Sequence, residues 1–483
     1  MRVSDLFELA AGVIVTGFDG LELEGPARDA LGRAPFAGYI LFARNIESIA
    51  QTRALTDALR AQSVLPPIVA VDQEGGRVAR LRSGVEVFPP MMALGAIGDA
   101  ALAADAGESL AHDLLRAGFN LDFAPVLDLA VDPRNTVIGT RAFGASPGLV
   151  GDLGIAFARG MRRSGVIPAF KHFPGHGATA FDTHFGPARL DVDAATLAGR
   201  DLLPFVRAFR EAVAVMAAHV AVPALDGDVP ASLSRRMLTG LLREELHYAG
   251  VCFTDCMQMD AVARGAGTTA GVALAIAAGA DCALVSHEPG LALEAAYHLA
   301  EQVERGVIPR ARLEEASTRV RALRERFHSP IAVNAPGPHP GIGARIAAQS
   351  MTLVRGALPV ERTSCVAVSF GETAVESLEV DAIRAGLDPD ESAAGPILES
   401  VGTRRPLVVA HRAHLYAGQR RVIDALIERA PETILVSSGE PFDLACFPEA
   451  RTAVAAFAND AQTMHAVSRA VFEGAPCRGR LPV

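Results

Sequence analysis

Residues 171–184, KHFPGHGATAFDTH, put a lysine, three histidines and an aspartate into one short stretch. Lys171 is also the only lysine among 45 basic residues, the rest being arginine. A chain so biased keeps a lysine where a compact ammonium cannot be replaced by a planar guanidinium. A strong bias also leaves a remainder by chance, so Lys171 counts only together with its neighbours. Two chemistries suit the segment. The first is metal binding, because His172, His176, Asp182 and His184 are competent ligands for zinc or iron. Phe-Pro-Gly between His172 and His176 prevents the helical i, i+4 placement of a His-x-x-x-His site, and Lys171 repels a cation, so no metal is expected. The second is general acid/base work, with Asp182 orienting His184 and stabilising its charged form. A nucleophile must then come from elsewhere. Asp255 closes the apolar run VCFTD, and the flanking Cys252 and Cys256 lack the cationic partner that activates a thiol. Gly144-Ala145-Ser146-Pro147-Gly148 matches the G-x-S-x-G of serine hydrolases, but Pro147 has no N–H to offer an oxyanion. No complete G-x-G-x-x-G or Walker A pattern occurs, so no nucleotide cofactor is expected.

The elements that must position these groups are legible as eight short apolar runs: 12–17, 38–42, 68–72, 121–128, 166–171, 213–219, 251–255 and 282–286. Between several of them lie segments of helical period, such as 48–62 and 150–165, and the alternation predicts repeated βα units. Eight continuous strands point to a (β/α)₈ barrel over residues 1–330; a doubly wound open sheet has the same alternation and stays open at this point. In a barrel the reactive groups stand at the carboxyl ends of the strands. Here those ends carry Asp72, Lys171 with His172, His219 and Asp255. Any one Asp could simply cap the following helix, but burying so many polar groups without purpose costs several kcal/mol apiece. PIAVNAPGPHP, with four prolines, cannot continue a helix, which makes 331–340 an extended linker. Runs at 365–370, 406–411 and 433–438 predict a smaller α/β domain over 341–483.

Composition narrows the class further. Of 483 residues half are hydrophobic and 21% charged, enough to bury a core, and two domains suit the length. A net charge of −10 with no basic block excludes electrostatic capture of nucleic acid or an anionic membrane. Six cysteines without a CxxC pair, several inside apolar runs, read as buried thiols in a reducing compartment. Asp5 and Glu8 interrupt the first apolar stretch, unlike a signal peptide, and the richest apolar stretches fall short of about 18 to 20 uninterrupted residues, so the expected location is the cytoplasm. No sequence signal bears on oligomeric state.

VDQEGGRVAR (71–80), LDFAPVLDLAVDPRN (121–135), KHFPGHGATAFDTH (171–184), AHVAVPALDGDVPASLS (218–234) and GVCFTDCMQMDAV (250–262) together resemble the bacterial family 3 glycoside hydrolases, in their β-N-acetylglucosaminidase branch. The tail resembles the second domain of two-domain members more loosely, through SSGEPFDLACFP (437–448) and GRLPV (479–483). The resemblance implies an exo-acting retaining glycosidase that releases terminal β-linked N-acetylglucosamine, as cytoplasmic relatives do from cell-wall muropeptides. It implies Asp255 as nucleophile, Asp182 and His184 as a mobile-loop acid/base dyad, and Asp72, Arg80, Arg141, Lys171 and His172 as the groups that hold the sugar. Thr183 stands where Ser is common, and Cys256 where Asp or Ala is frequent; neither position supplies a catalytic atom. An absence of Trp and only four Tyr disfavour a long aromatic-lined groove, so the expected partner is a short carbohydrate, with no cofactor. A phosphorylase or β-glucosidase of the same fold, and a non-catalytic sugar-binding protein, are the alternatives.

Overall fold

The computed structural model describes residues 3–179, 186, 188–326 and 330–483. Eight parallel strands close into a barrel: β1 (Ile14–Thr16), β2 (Gly38–Ile40), β3 (Ile68–Val71), β4 (Leu121–Asp122), β5 (Ile167–Phe173), β6 (Ala214–Ala217), β7 (Val251–Cys256) and β8 (Cys282–Val285). Each lies beside the next in chain order, and closure is made by β1 against β8, with Ile14 opposite Ala283 and Val15 opposite Leu284. All eight expected runs are therefore strands, and the open doubly wound sheet is excluded. The strands read as continuous apolar runs because both faces are covered, the inner by other strands and the outer by helices. β3, β5, β6 and β8 are buried along their whole length.

The helices between strands carry ordinary start and stop signals. The helix Ala100–Ala117 begins at Asp99, whose carboxylate accepts from the N–H groups of Ala101 and Leu102, and ends at Gly118 in the left-handed conformation (φ 90°). Because all eight strands run the same way, Asp72, Lys171, His172, His219 and Asp255 gather at one rim. Where each segment of the site begins is thus set by the end of an apolar run.

A second sheet of six strands follows: β9 (Thr352–Arg355), β10 (Cys365–Phe370), β11 (Ala382–Ala385), β12 (Arg405–Ala410), β13 (Ile434–Ser437) and β14 (Thr452–Ala455). Its order is β9-β14-β13-β12-β10-β11, parallel except for the antiparallel β9. The three runs expected there are β10, β12 and β13, while β9, β11 and β14 went unforeseen. Between the barrel and this sheet the proline-rich segment lies along the barrel's helices, where Arg53 donates to the carbonyl of Ile331 at 2.6 Å and Arg116 to that of Val333 at 2.7 Å. Residues near the end of the chain return to the barrel: Arg480 N–H donates to Ala96 O and Ala145 N–H to Pro482 O, each at 2.9 Å. Among the described residues no helix is long and apolar enough to cross a membrane.

Candidate active site

The rim is organised around ionised pairs. Lys171 Nζ, at the mouth end of β5 and 2% exposed, donates to Asp72 Oδ1 at 2.7 Å and pairs with Glu74 Oε1 at 2.7 Å. Glu74 in turn receives Arg141 through a two-pronged contact, Nε to Oε2 at 2.7 Å and Nη2 to Oε1 at 2.8 Å. Planar guanidinium fits planar carboxylate in that geometry, and a point-like ammonium fits between two separate carboxylates. Burial alone would raise the Glu74 pKa, but Arg141 and Lys171 overcome it and hold the carboxyl well below the usual range. Burial likewise disfavours the Lys171 charge, and Asp72 and Glu74 reverse that, leaving its pKa raised.

A second node is Asp128, fully buried just beyond the short β4. Its carboxylate accepts the backbone N–H of His176 at 2.7 Å and contacts His172 Nδ1 at 2.6 Å. The opposite ring nitrogen of His172 lies 3.4 Å from Arg141 Nη2, which links the two nodes. Burial opposes the charge of Asp128, and its contacts with His172 and His176 bring its pKa below the ordinary value. Burial pushes His176 down to about 4, so its ring is neutral near pH 7, with Nδ1 2.8 Å from the Thr179 hydroxyl. These engagements occupy ring nitrogens that a metal site at His172 and His176 would need.

The remaining expected residues stand as follows. Arg80 lies on the loop after β3, tied back by its own N–H to Gln73 Oε1 at 2.6 Å, with its guanidinium 5.7 Å from the Phe42 ring centre. Its Nε is buried and meets no hydrogen-bond partner among the described residues. Beside it a cavity of about 220 Å³ opens between residues 43–49 and 79–83. Asp255 stands near the carboxyl end of β7, partly accessible, its Oδ1 accepting the N–H of Cys256 at 2.7 Å. Burial drives the Cys252 thiol up to about 12 and raises Cys256 as well, so neither flanking cysteine supplies a thiolate. Asp182 and His184 lie outside the described residues. His219 serves packing of the rim: Nε2 lies 2.9 Å from the carbonyl of Cys256 and Nδ1 2.6 Å from the Ser232 hydroxyl, which ties β6 to β7.

The structure thus brings Asp72, Arg141, Lys171 and His172 into one network and places Arg80 and Asp255 on the same rim. The two carboxylates that join the network, Glu74 and Asp128, were not singled out from sequence. Glu74 follows Asp72 by two residues, and Asp128 closes the run 121–128. Both signals were present; what was missing was the count of cations they would have to neutralise. A larger hollow of about 720 Å³, at the amino ends of β6 and β7 beside Val213 and Val251, contains none of these residues.

A model of the glycosyl hydrolase family 3 N-terminal domain matches residues 18–323. The beta-hexosaminidase of Nitrosomonas eutropha is 38% identical over 311 residues, covering 63% of this chain and 86% of the relative. That of Chromobacterium violaceum is 39% identical over 313 residues, covering 62% and 87%. Among solved structures, a glycoside hydrolase family 3 beta-N-acetylglucosaminidase from Paenibacillus sp. str. FPU-7 superposes with a TM-score of 0.91 at 32% identity, covering 99% of this chain and 98% of the other. A beta-glucoside phosphorylase superposes with a TM-score of 0.80 at 20% identity, which is a likeness of fold. With the family model matching residues 18–323, more than half of the chain, and relatives matched over most of their length, the chain belongs to glycosyl hydrolase family 3.

Proposed function

We propose that this protein is a retaining exo-β-N-acetylglucosaminidase. The observation that carries the reading is the rim network in which buried Lys171 and Arg141 share Glu74, flanked by Asp72 and His172, with the Nε of Arg80 on the same rim meeting no partner among the described residues. It sets charged donors and acceptors, the groups that pair with sugar hydroxyls, at fixed positions on the rim. Relatives named beta-hexosaminidase and beta-N-acetylglucosaminidase support the acetamido sugar as substrate.

In the mechanism, Asp72, Arg80, Arg141, Lys171 and His172 hold the ring. His184, oriented by Asp182, protonates the leaving oxygen while Asp255 attacks the anomeric carbon. The C–O bond to the aglycone breaks as the bond to the Asp255 carboxylate forms. His184, now neutral, takes a proton from water, which displaces Asp255 and restores both groups. An imidazole beside an anionic nucleophile avoids the repulsion of a second carboxylate, and its ordinary pKa of about 6.5 suits both roles. The natural substrates are fragments of cell-wall muropeptide met in the cytoplasm, and the chain divides into the catalytic barrel (1–330), the proline-rich connector (331–340) and the C-terminal unit (341–483).

Steady-state release from an aryl β-N-acetylglucosaminide and the matching β-glucoside, with and without phosphate, tests this reading. Strong preference for the acetamido substrate, independent of phosphate, is expected. Preference for the glucoside, or dependence on phosphate, overturns it.

A further inference from the structure

We propose that Glu440, carried by the C-terminal unit, is a positioning residue that sets the sugar-holding Arg141 from across the interface with the barrel; the inference rests on the role given to Arg141 above. Arg141 ends a short turn, Gly139–Arg141, and its own side chain is tied back to the carbonyl of Val137 at 3.0 Å. Nothing in that turn is long enough to be rigid by itself. Asn135 Oδ1 accepts the N–H groups of Val137 and Ile138 at 3.0 and 2.8 Å, and the rest of the turn is held from across the interface.

Glu440 reaches in from the loop after β13. Its Oε1 accepts the N–H of Thr140 at 3.3 Å, and its carboxylate is gripped by Arg412, Nη2 to Oε1 at 2.9 Å and Nε to Oε2 at 3.1 Å. Arg412 also donates to the carbonyl of Thr136 at 3.2 Å, so one ion pair of the second unit holds both ends of segment 136–140. Gly139 is fitted to this arrangement: its φ is 46°, and a Cβ there would lie 1.9 Å from Glu440 Oε1. The absent side chain is the space that the carboxylate occupies. Arg412 itself sits at φ 59°, a conformation that non-glycine residues rarely hold without compensating contacts. From the barrel side, Arg77 donates to the carbonyls of Val137 and Ile138 at 2.5 and 3.1 Å. Burial opposes the Glu440 charge, but Arg412 and Arg77 hold its pKa down to about 2, so the clamp is ionised throughout the working range.

The test uses the full chain with three variants: Glu440→Ala, Glu440→Gln and Gly139→Ala, the last expelling the carboxylate without altering the second unit. KM for the aryl β-N-acetylglucosaminide and Ki for free N-acetylglucosamine are expected to rise about tenfold in Glu440→Ala and Gly139→Ala, with kcat within about threefold of wild type. Glu440→Gln, which keeps an oxygen for Thr140 N–H, falls between. Amide exchange in 136–141 should quicken in all three. KM and Ki within twofold of wild type, or a loss confined to kcat or to the folded fraction, would overturn the proposal. If Glu440→Ala does not fold, Gly139→Ala decides. Should wild type itself fail on the acetamido substrate, the proposed function is wrong, and amide exchange in 136–141 still decides whether Glu440 clamps the turn.

Discussion

Lys171 shows how one atom type is dictated by its surroundings. An ammonium has three donors around a single nitrogen and here serves two carboxylates on different residues, each at 2.7 Å. A guanidinium is larger and presents its donors in a plane, so Lys171→Arg must lose one partner or displace Arg141. We expect this substitution to lower kcat/KM by about 100-fold, chiefly through KM, and to lower the thermal midpoint as well, because a buried carboxylate loses its partner; parallel kinetics and calorimetry check both. Asp255→Asn should instead reduce kcat by about 1,000-fold or more with KM within a few-fold, because only the bond-forming step is lost. The lone lysine and the polar residues ending apolar runs were readable in the sequence, since burying such groups demands a reason. Glu74 and Asp128 were not, because a carboxylate that neutralises a distant cation looks in sequence like one that caps a helix. Their partners, Arg141 and His172, are 67 and 44 residues away along the chain.

Elements divide the labour between the two ends of the barrel. The rim at the carboxyl ends carries the charged network just described, while the amino end is held by Asp281, which precedes β8 and is fully buried. Its carboxylate pairs with Arg243 at 2.5 Å, Arg312 at 2.8 Å and Arg319 at 3.1 Å, and accepts the N–H of Cys252 at 3.0 Å. Removing one member of a buried ionic cluster leaves the others uncompensated, at a cost of about 3–5 kcal/mol. Asp281→Ala should therefore lower stability to denaturant by about that amount while KM stays at the wild-type value, which distinguishes a fastening at the bottom from a group at the mouth. The eight barrel strands were legible because strands covered on both faces are uninterrupted apolar runs. β11 was not: its residues alternate between exposed and half-buried, and its four residues include Arg384. A two-residue ladder joining Ala188–Arg189 to Val220–Ala221 is too short to leave any periodic signal.

At the scale of the whole molecule, acid should loosen both the site and the interface. His176 titrates near 4 in the fold and near 6.5 when unfolded, so between those values the unfolded chain binds more protons and stability falls as pH is lowered. For this buried group the full effect is on the order of 3 kcal/mol. Glu440, held to about 2 against an ordinary 4.5, adds a second loss that begins as pH drops through 4.5. Asp122, whose burial raises its pKa, acts in the opposite sense and favours the fold when protonated. We predict a thermal midpoint that declines from pH 6.5 downward and more steeply below 4.5, with His176→Asn flattening the upper part and Glu440→Gln the lower; calorimetry across pH 7 to 3 reads both. The central claim, that Asp255 forms a glycosyl ester during turnover, is met most directly by labelling with a 5-fluoro β-N-acetylglucosaminyl fluoride followed by peptide mass mapping. One sugar attached to the peptide bearing Asp255 is predicted; substrate consumption with no adduct, or an adduct on any other residue, would contradict it.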